Sequence, residues 1–198
     1  MKKLFFFALL FSVFSVVAQT PTANFTATPL SVCAGSPVNF TNTSSANGAS
    51  PIVFNSWNFG DGVSFVGQNA THVYDTPGTY PVTLVVTNAN GTADAEVKPG
   101  YITVKPAPTA SFSILGQGCT VPLTLTFNNT SSTGAGFTYA WNFGPNQNSN
   151  VQNPPSQTYN SVGTFPISLT VTNPTTGCSS TVVQQIEVSN YQAQINAF

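Results

Sequence analysis

Side chains able to do chemistry are scarce in this chain. It holds one histidine, His72, five acids (Asp61, Asp75, Asp94, Glu96 and Glu187), four lysines and no arginine. A Ser-His-Asp nucleophile would have to be built around His72, and no Gly-x-Ser-x-Gly turn offers a serine to it. Cysteine catalysis would need the same lone imidazole to hold a thiolate. A zinc site wants three or four ligands, and no cysteine or second histidine stands at ligand spacing from His72. Asp61, between Gly60 and Gly62, meets too few carboxylates for the six to eight oxygens of calcium and reads as a turn aspartate bonding its own backbone. Catalytic residues, metal ligands and cofactors are therefore assigned to none of these positions.

The charge count extends the exclusion. Of 198 residues 41% are hydrophobic and only 5% charged, where a soluble domain carries about 25%. Lys2 and Lys3 belong to a basic start, followed by an apolar, Phe-rich stretch from Leu4 to Val17 and short side chains at Val16 and Ala18. Residues 1–18 read as a cleavable Sec-type signal peptide. The mature chain then holds two lysines against five acids, which cannot form the cationic stripe that nucleic-acid phosphates require. No other stretch has the length and apolarity of a transmembrane segment.

What must position any site is a repeat. At an offset of 84 to 87 residues, Phe25 meets Phe112, Cys33 meets Cys119, and Phe40-Thr41-Asn42-Thr43-Ser44 meets Phe127-Asn128-Asn129-Thr130-Ser131. Trp57-Asn58-Phe59-Gly60 meets Trp141-Asn142-Phe143-Gly144, and Gly78-Thr79-Tyr80-Pro81 meets Gly163-Thr164-Phe165-Pro166. The chain is a tandem duplication joined by the stiff linker Lys105-Pro106-Ala107-Pro108. Within each copy the apolar residues recur every second position, as in Val82, Leu84 and Val86 or Ile167, Leu169 and Val171. Asn47-Gly48, Asn90-Gly91 and similar turns punctuate these runs. The reading is all-β: two antiparallel sandwiches, each large enough for its own core.

The first copy closely resembles the signature of the PKD (polycystic kidney disease) domain. The resemblance rests on Trp57-Asn58-Phe59-Gly60-Asp61-Gly62, His72-Val73-Tyr74 and the run from Gly78 and Tyr80 to Asn88. It implies an Ig-like β-sandwich over residues 22–105, of a kind found in extracellular arrays and as accessory modules of secreted hydrolases. Residues 108–189 look like a diverged second member. It keeps Trp141, Phe143, Gly144, Tyr159, Gly163 and Phe165, but Pro145-Asn146 replaces the Asp-Gly pair. Residues 190–198 align with the start of a copy and are expected to begin a third module.

Both tryptophans fall on alternating strands and are expected in the cores, leaving Phe65, Phe137 and Tyr139 as candidate ligand contacts on loops. Cys119 and Cys178 bracket the second copy, and a disulfide between them would close a loop of 59 residues, worth roughly 4 kcal/mol by chain entropy. Cys33 is then left as an unpaired, buried thiol. The expected function is non-catalytic: a secreted or cell-surface spacer or adhesive segment contacting an extracellular protein, a polysaccharide or neighbouring modules. The alternative is a carbohydrate-binding accessory module of a secreted hydrolase whose catalytic domain lies outside these residues.

Overall fold

The computed structural model describes residues 20–48, 50–116, 121–144 and 147–189. The expected signal peptide at 1–18, Cys119, Pro145-Asn146 and the expected module start at 190–198 lie outside the described residues. Among those described, every regular element is a strand.

The first repeat contributes β1 (Phe25–Thr28), β2 (Ser31–Cys33), β3 (Pro37–Asn42), β4 (Ile52–Asn58), β5 (Ser64–Val66), β6 (Ala70–Val73), β7 (Gly78–Asn88) and β8 (Ala93–Lys105). They form a three-stranded sheet in the order β1-β3-β6 and a five-stranded sheet in the order β2-β8-β7-β4-β5. Val, Thr and Phe suit these pleats because branched and aromatic side chains pack well across them. The period of two puts Val82, Leu84 and Val86 of β7 into the core and their neighbours outward. The Asn90-Gly91 turn returns the chain from β7 to β8: Gly91, at φ +81°, has the left-handed backbone that glycine tolerates, and its N–H donates to the Asn88 carbonyl at 3.0 Å. Rings then join the sheets, with Trp57 on β4 meeting Phe25 on β1 at 5.2 Å and Phe40 on β3 at 5.8 Å.

The second repeat follows the same plan. Its strands are β9 (Phe112–Leu115), β10 (Leu123–Asn129), β11 (Thr138–Asn142), β12 (Asn148–Ser149), β13 (Gln157–Tyr159), β14 (Gly163–Asn173) and β15 (Cys178–Val188). The sheets run β13-β10-β9 and β12-β11-β14-β15. Phe112, Phe127, Trp141, Phe143 and Leu169 are among the buried residues of its core, and β14 pairs with β15 without a break from Gly163↔Val188 to Asn173↔Cys178.

Each sandwich has an open side where the first strand would expose its backbone, and both close it with side chains. In the first repeat Lys98 donates from Nζ to the Phe25 carbonyl at 2.7 Å while its ammonium lies 4.8 Å from the Phe25 ring centroid, and Asp94 accepts from the Ala23 N–H at 2.8 Å. The second repeat makes the same pair of bonds without charge: Gln184 donates to the Phe112 carbonyl at 2.8 Å and Ser180 accepts from the Ala110 N–H at 3.4 Å. Satisfying an otherwise orphaned edge is the shared requirement.

Candidate functional site

The turn after each tryptophan strand is held by its own side chains, which accept from nearby backbone N–H groups. Trp57 is fully buried and donates from Nε1 to the Gly67 carbonyl at 2.9 Å. Trp141 does the same to Val151 at 3.1 Å. Asn58 accepts from the Gly60 N–H and Asp61 from the Val63 N–H, at 2.9 and 3.0 Å, which is the self-bonding turn chemistry of Asn and Asp. Gly60 sits at φ +82°, and a Cβ there would lie 2.8 Å from Pro81 Cδ. Gly60→Ala is therefore expected to cost roughly 2–4 kcal/mol, from backbone strain and overpacking together. Gly144→Ala should cost less, because a Cβ there meets only the Phe165 ring at 3.3 Å. Chemical denaturation of the two variants checks that ranking.

Gly78, Tyr74 and Tyr80 form the second half of the motif. Tyr74 is buried, stacks on Tyr80 at 4.5 Å and takes the edge of His72 at 4.6 Å. At the matching positions Gly163 opens β14 while Tyr159 and Phe165 lie 4.9 Å apart. The Tyr159 hydroxyl donates to the Phe143 carbonyl at 3.0 Å, and burial pushes its pKa from 10.0 up to about 12. The fold thus favours neutral tyrosine. The stability this contributes is whole below pH 10 and is lost between pH 10 and 12, as tyrosinate forms first in the unfolded chain. Tyr159→Phe is expected to flatten the alkaline fall of the urea midpoint.

The three aromatics expected to contact a ligand sit in different settings. Phe65 is 45% exposed but belongs to the edge strand β5. Phe137 is half-buried against the second core. Tyr139 is only 7% exposed, and its hydroxyl donates to the Ser132 carbonyl at 3.2 Å. The sequence reading placed Tyr139 on a loop, whereas β11 begins at Thr138 and puts Tyr139 on the inward face two residues before Trp141. Among the described residues, no three His, Cys, Asp or Glu side chains come together as a metal cluster.

The cysteine pairing also needs correction. Cys178 is bonded to Cys33, across 145 residues of sequence with a Cα–Cα distance of 5.7 Å. It is therefore not bonded to Cys119, and Cys33 is not an unpaired thiol. Both partners belong to the compact unit that gathers Pro29–Val38, Thr71–Tyr80 and the chain from Gly100 onward. The route between them is local: β2 pairs in parallel with the end of β8, Cys33 opposite Lys105. The next carbonyl, of Pro106, accepts from the Thr176 hydroxyl at 3.3 Å, and that hydroxyl oxygen also accepts from the Cys178 N–H at 3.2 Å. The signal in the sequence was the missing counterpart of Cys178 at Thr92 and Ala93, which marks Cys33 as a residue whose partner lies outside its own repeat.

Fold and motif together define a class, tandem Ig-like β-sandwich modules built around a buried Trp-x-Phe-Gly strand end. The family model of the PKD domain matches residues 18–104 and again 103–188, and the chain belongs to that family. Collagenase ColA of Bacillus cereus is 41% identical over 71 residues, which cover 36% of this chain and 7% of the collagenase. The chain thus spans a small fraction of that relative's length. Among solved structures, the PKD1 domain of the Vibrio cholerae metalloprotease PrtV is 32% identical over 43% of this chain and 98% of its own, with a TM-score of 0.38. The PKD1 domain of Vibrio anguillarum Epp is 26% identical over 45% and 100%, also at 0.38. Among the described residues no helix is long and apolar enough to cross a membrane.

Proposed function

We propose that this chain is a non-catalytic, extracellular segment of a bacterial surface protein, acting as a spacer or adhesive module and exported by a Sec-type signal peptide. The observation that carries this reading is the Cys33–Cys178 bond, which joins the start of one repeat to the end of the next. Disulfides persist in oxidising, exported locations, and the motif side chains Trp57, Phe59, Tyr74, Trp141, Phe143 and Tyr159 are committed to the cores. The 41% identity to a stretch of collagenase ColA favours a second reading, an accessory module of a secreted hydrolase. Full-length activity would separate the two.

The spacer reading is tested by pulling the chain from its ends. When oxidised, the closed loop of 145 residues cannot lengthen. With reductant the same chain should gain roughly 500 Å of contour, at about 3.4 Å per residue. Full extension of the oxidised chain would contradict it.

A further inference from the structure

We propose that the first repeat carries a cleft for a tyrosine side chain of a partner polypeptide, at the place where the second repeat seats a tyrosine of its own. The two positions are counterparts by register: Asn55 on β4 lies opposite Val86, and Tyr139 on β11 lies opposite the matching Val171. Tyr139, only 7% exposed, fills its space, and its hydroxyl donates to the Ser132 carbonyl at 3.2 Å. Asn55 has no ring to offer. Its amide oxygen accepts from Nδ2 of Asn42, at the end of β3, at 2.8 Å. Asn129, the counterpart of Asn42, donates instead to the Gln152 carbonyl at 2.7 Å. The loop that enters β4 is also three residues longer than the one that enters β11 (offset 87 at Ser44, 84 at Trp57), and it ends in Pro51-Ile52.

A cleft of about 400 Å³ lies beside Asn55, lined by Asn42, Ser44, Pro51, Ile52, Asn55 and Gln68 among others. That volume is within the roughly 300–1,000 Å³ of small-molecule sites. All six residues belong to one compact unit, which contains Asn39–Ala70, and all six are half-buried or exposed, so a ligand can reach them. Among the described residues that line the cleft none is charged. A charged ligand would be desolvated with nothing to balance it, so the ligand is neutral. None is aromatic either, which leaves a pyranose without a ring face to pack on. Apolar Pro51 and Ile52 beside the amides of Asn55 and Gln68 match a group with an apolar body and one polar tip, as tyrosine has. Its hydroxyl both donates and accepts, so it can bond either end of an amide. One side chain of this size binds with a Kd of about 1 mM at ordinary ligand efficiency.

The cleft would serve a spacer and an accessory module alike, so its failure would leave the extension experiment untouched. The test is an amide-resolved NMR titration of the full chain with N-acetyltyrosinamide, with N-acetylalaninamide as the ring-free control and glucose as the sugar control. Saturating shifts are expected at Ser44, Ile52, Asn55 and Gln68 with the tyrosine probe alone, and none at Ser131, Tyr139 and Gln152 of the second repeat. Asn55→Tyr should weaken binding roughly tenfold or more, because the first repeat then fills its cleft as the second does. Gln68→Ala, at an exposed position, should weaken it about threefold through one lost hydrogen bond, and it serves should the first change disturb the spectrum. No saturable shift up to roughly ten times the expected Kd, equal shifts with N-acetylalaninamide or glucose, or binding unchanged in both variants, would overturn the proposal.

Discussion

Replacing Cys33 by serine is expected to lower the stability of the oxidised chain by roughly 5 kcal/mol. The bond closes a loop of 145 residues, and the chain-entropy model gives about that figure for the freedom it removes from the unfolded state. Nearly all of both repeats lies inside the loop, so the loss should reach each of them. Urea unfolding followed by the fluorescence of Trp57 and Trp141 reads it repeat by repeat. Wild type in reductant should match Cys33→Ser, and Cys119→Ser should leave the oxidised transition in place. Destabilisation by Cys119→Ser with none from Cys33→Ser would reverse the pairing.

Trp57→Ala is expected to cost about 3–5 kcal/mol, the usual range for emptying a large aromatic site. Trp57 is fully buried between Phe25 and Phe40, and its loss also leaves the Gly67 carbonyl without its donor. Trp57→Phe keeps a ring in place and should cost less, near the value of the lost hydrogen bond and a small void. Trp141→Ala should behave alike in the second repeat, where the indole stacks on Phe143 at 5.5 Å and 11°. Since whole domains are stable by only about 5–15 kcal/mol, either alanine variant should remove a large share of the stability of its own repeat. A tryptophan serving as a surface platform would give the opposite pattern, lost binding with stability kept.

The fold was legible because duplication wrote it twice. Val82, Leu84 and Val86 show the same alternation as Ile167, Leu169 and Val171, and all six are buried. The turn role of Asp61 was legible as well, since its flanking glycines leave self-bonding as the simplest use of its carboxylate. The site was harder. Tyr139 looked like a loop residue because the glycine-rich stretch before it hides where β11 begins. The disulfide was misread because pairing was sought inside one repeat. What places Cys33 near Cys178 is the parallel pairing of β2 with the end of β8 and the Pro106–Thr176 hydrogen bond, and local patterning reports neither.

The central claim, a PKD pair fastened between its repeats, is tested most directly by peptide mapping of the oxidised chain without reduction, after alkylation of free thiols. The prediction is one linked peptide pair carrying Cys33 and Cys178, with Cys119 alkylated. A linked pair carrying Cys119 and Cys178, with Cys33 alkylated, would contradict it.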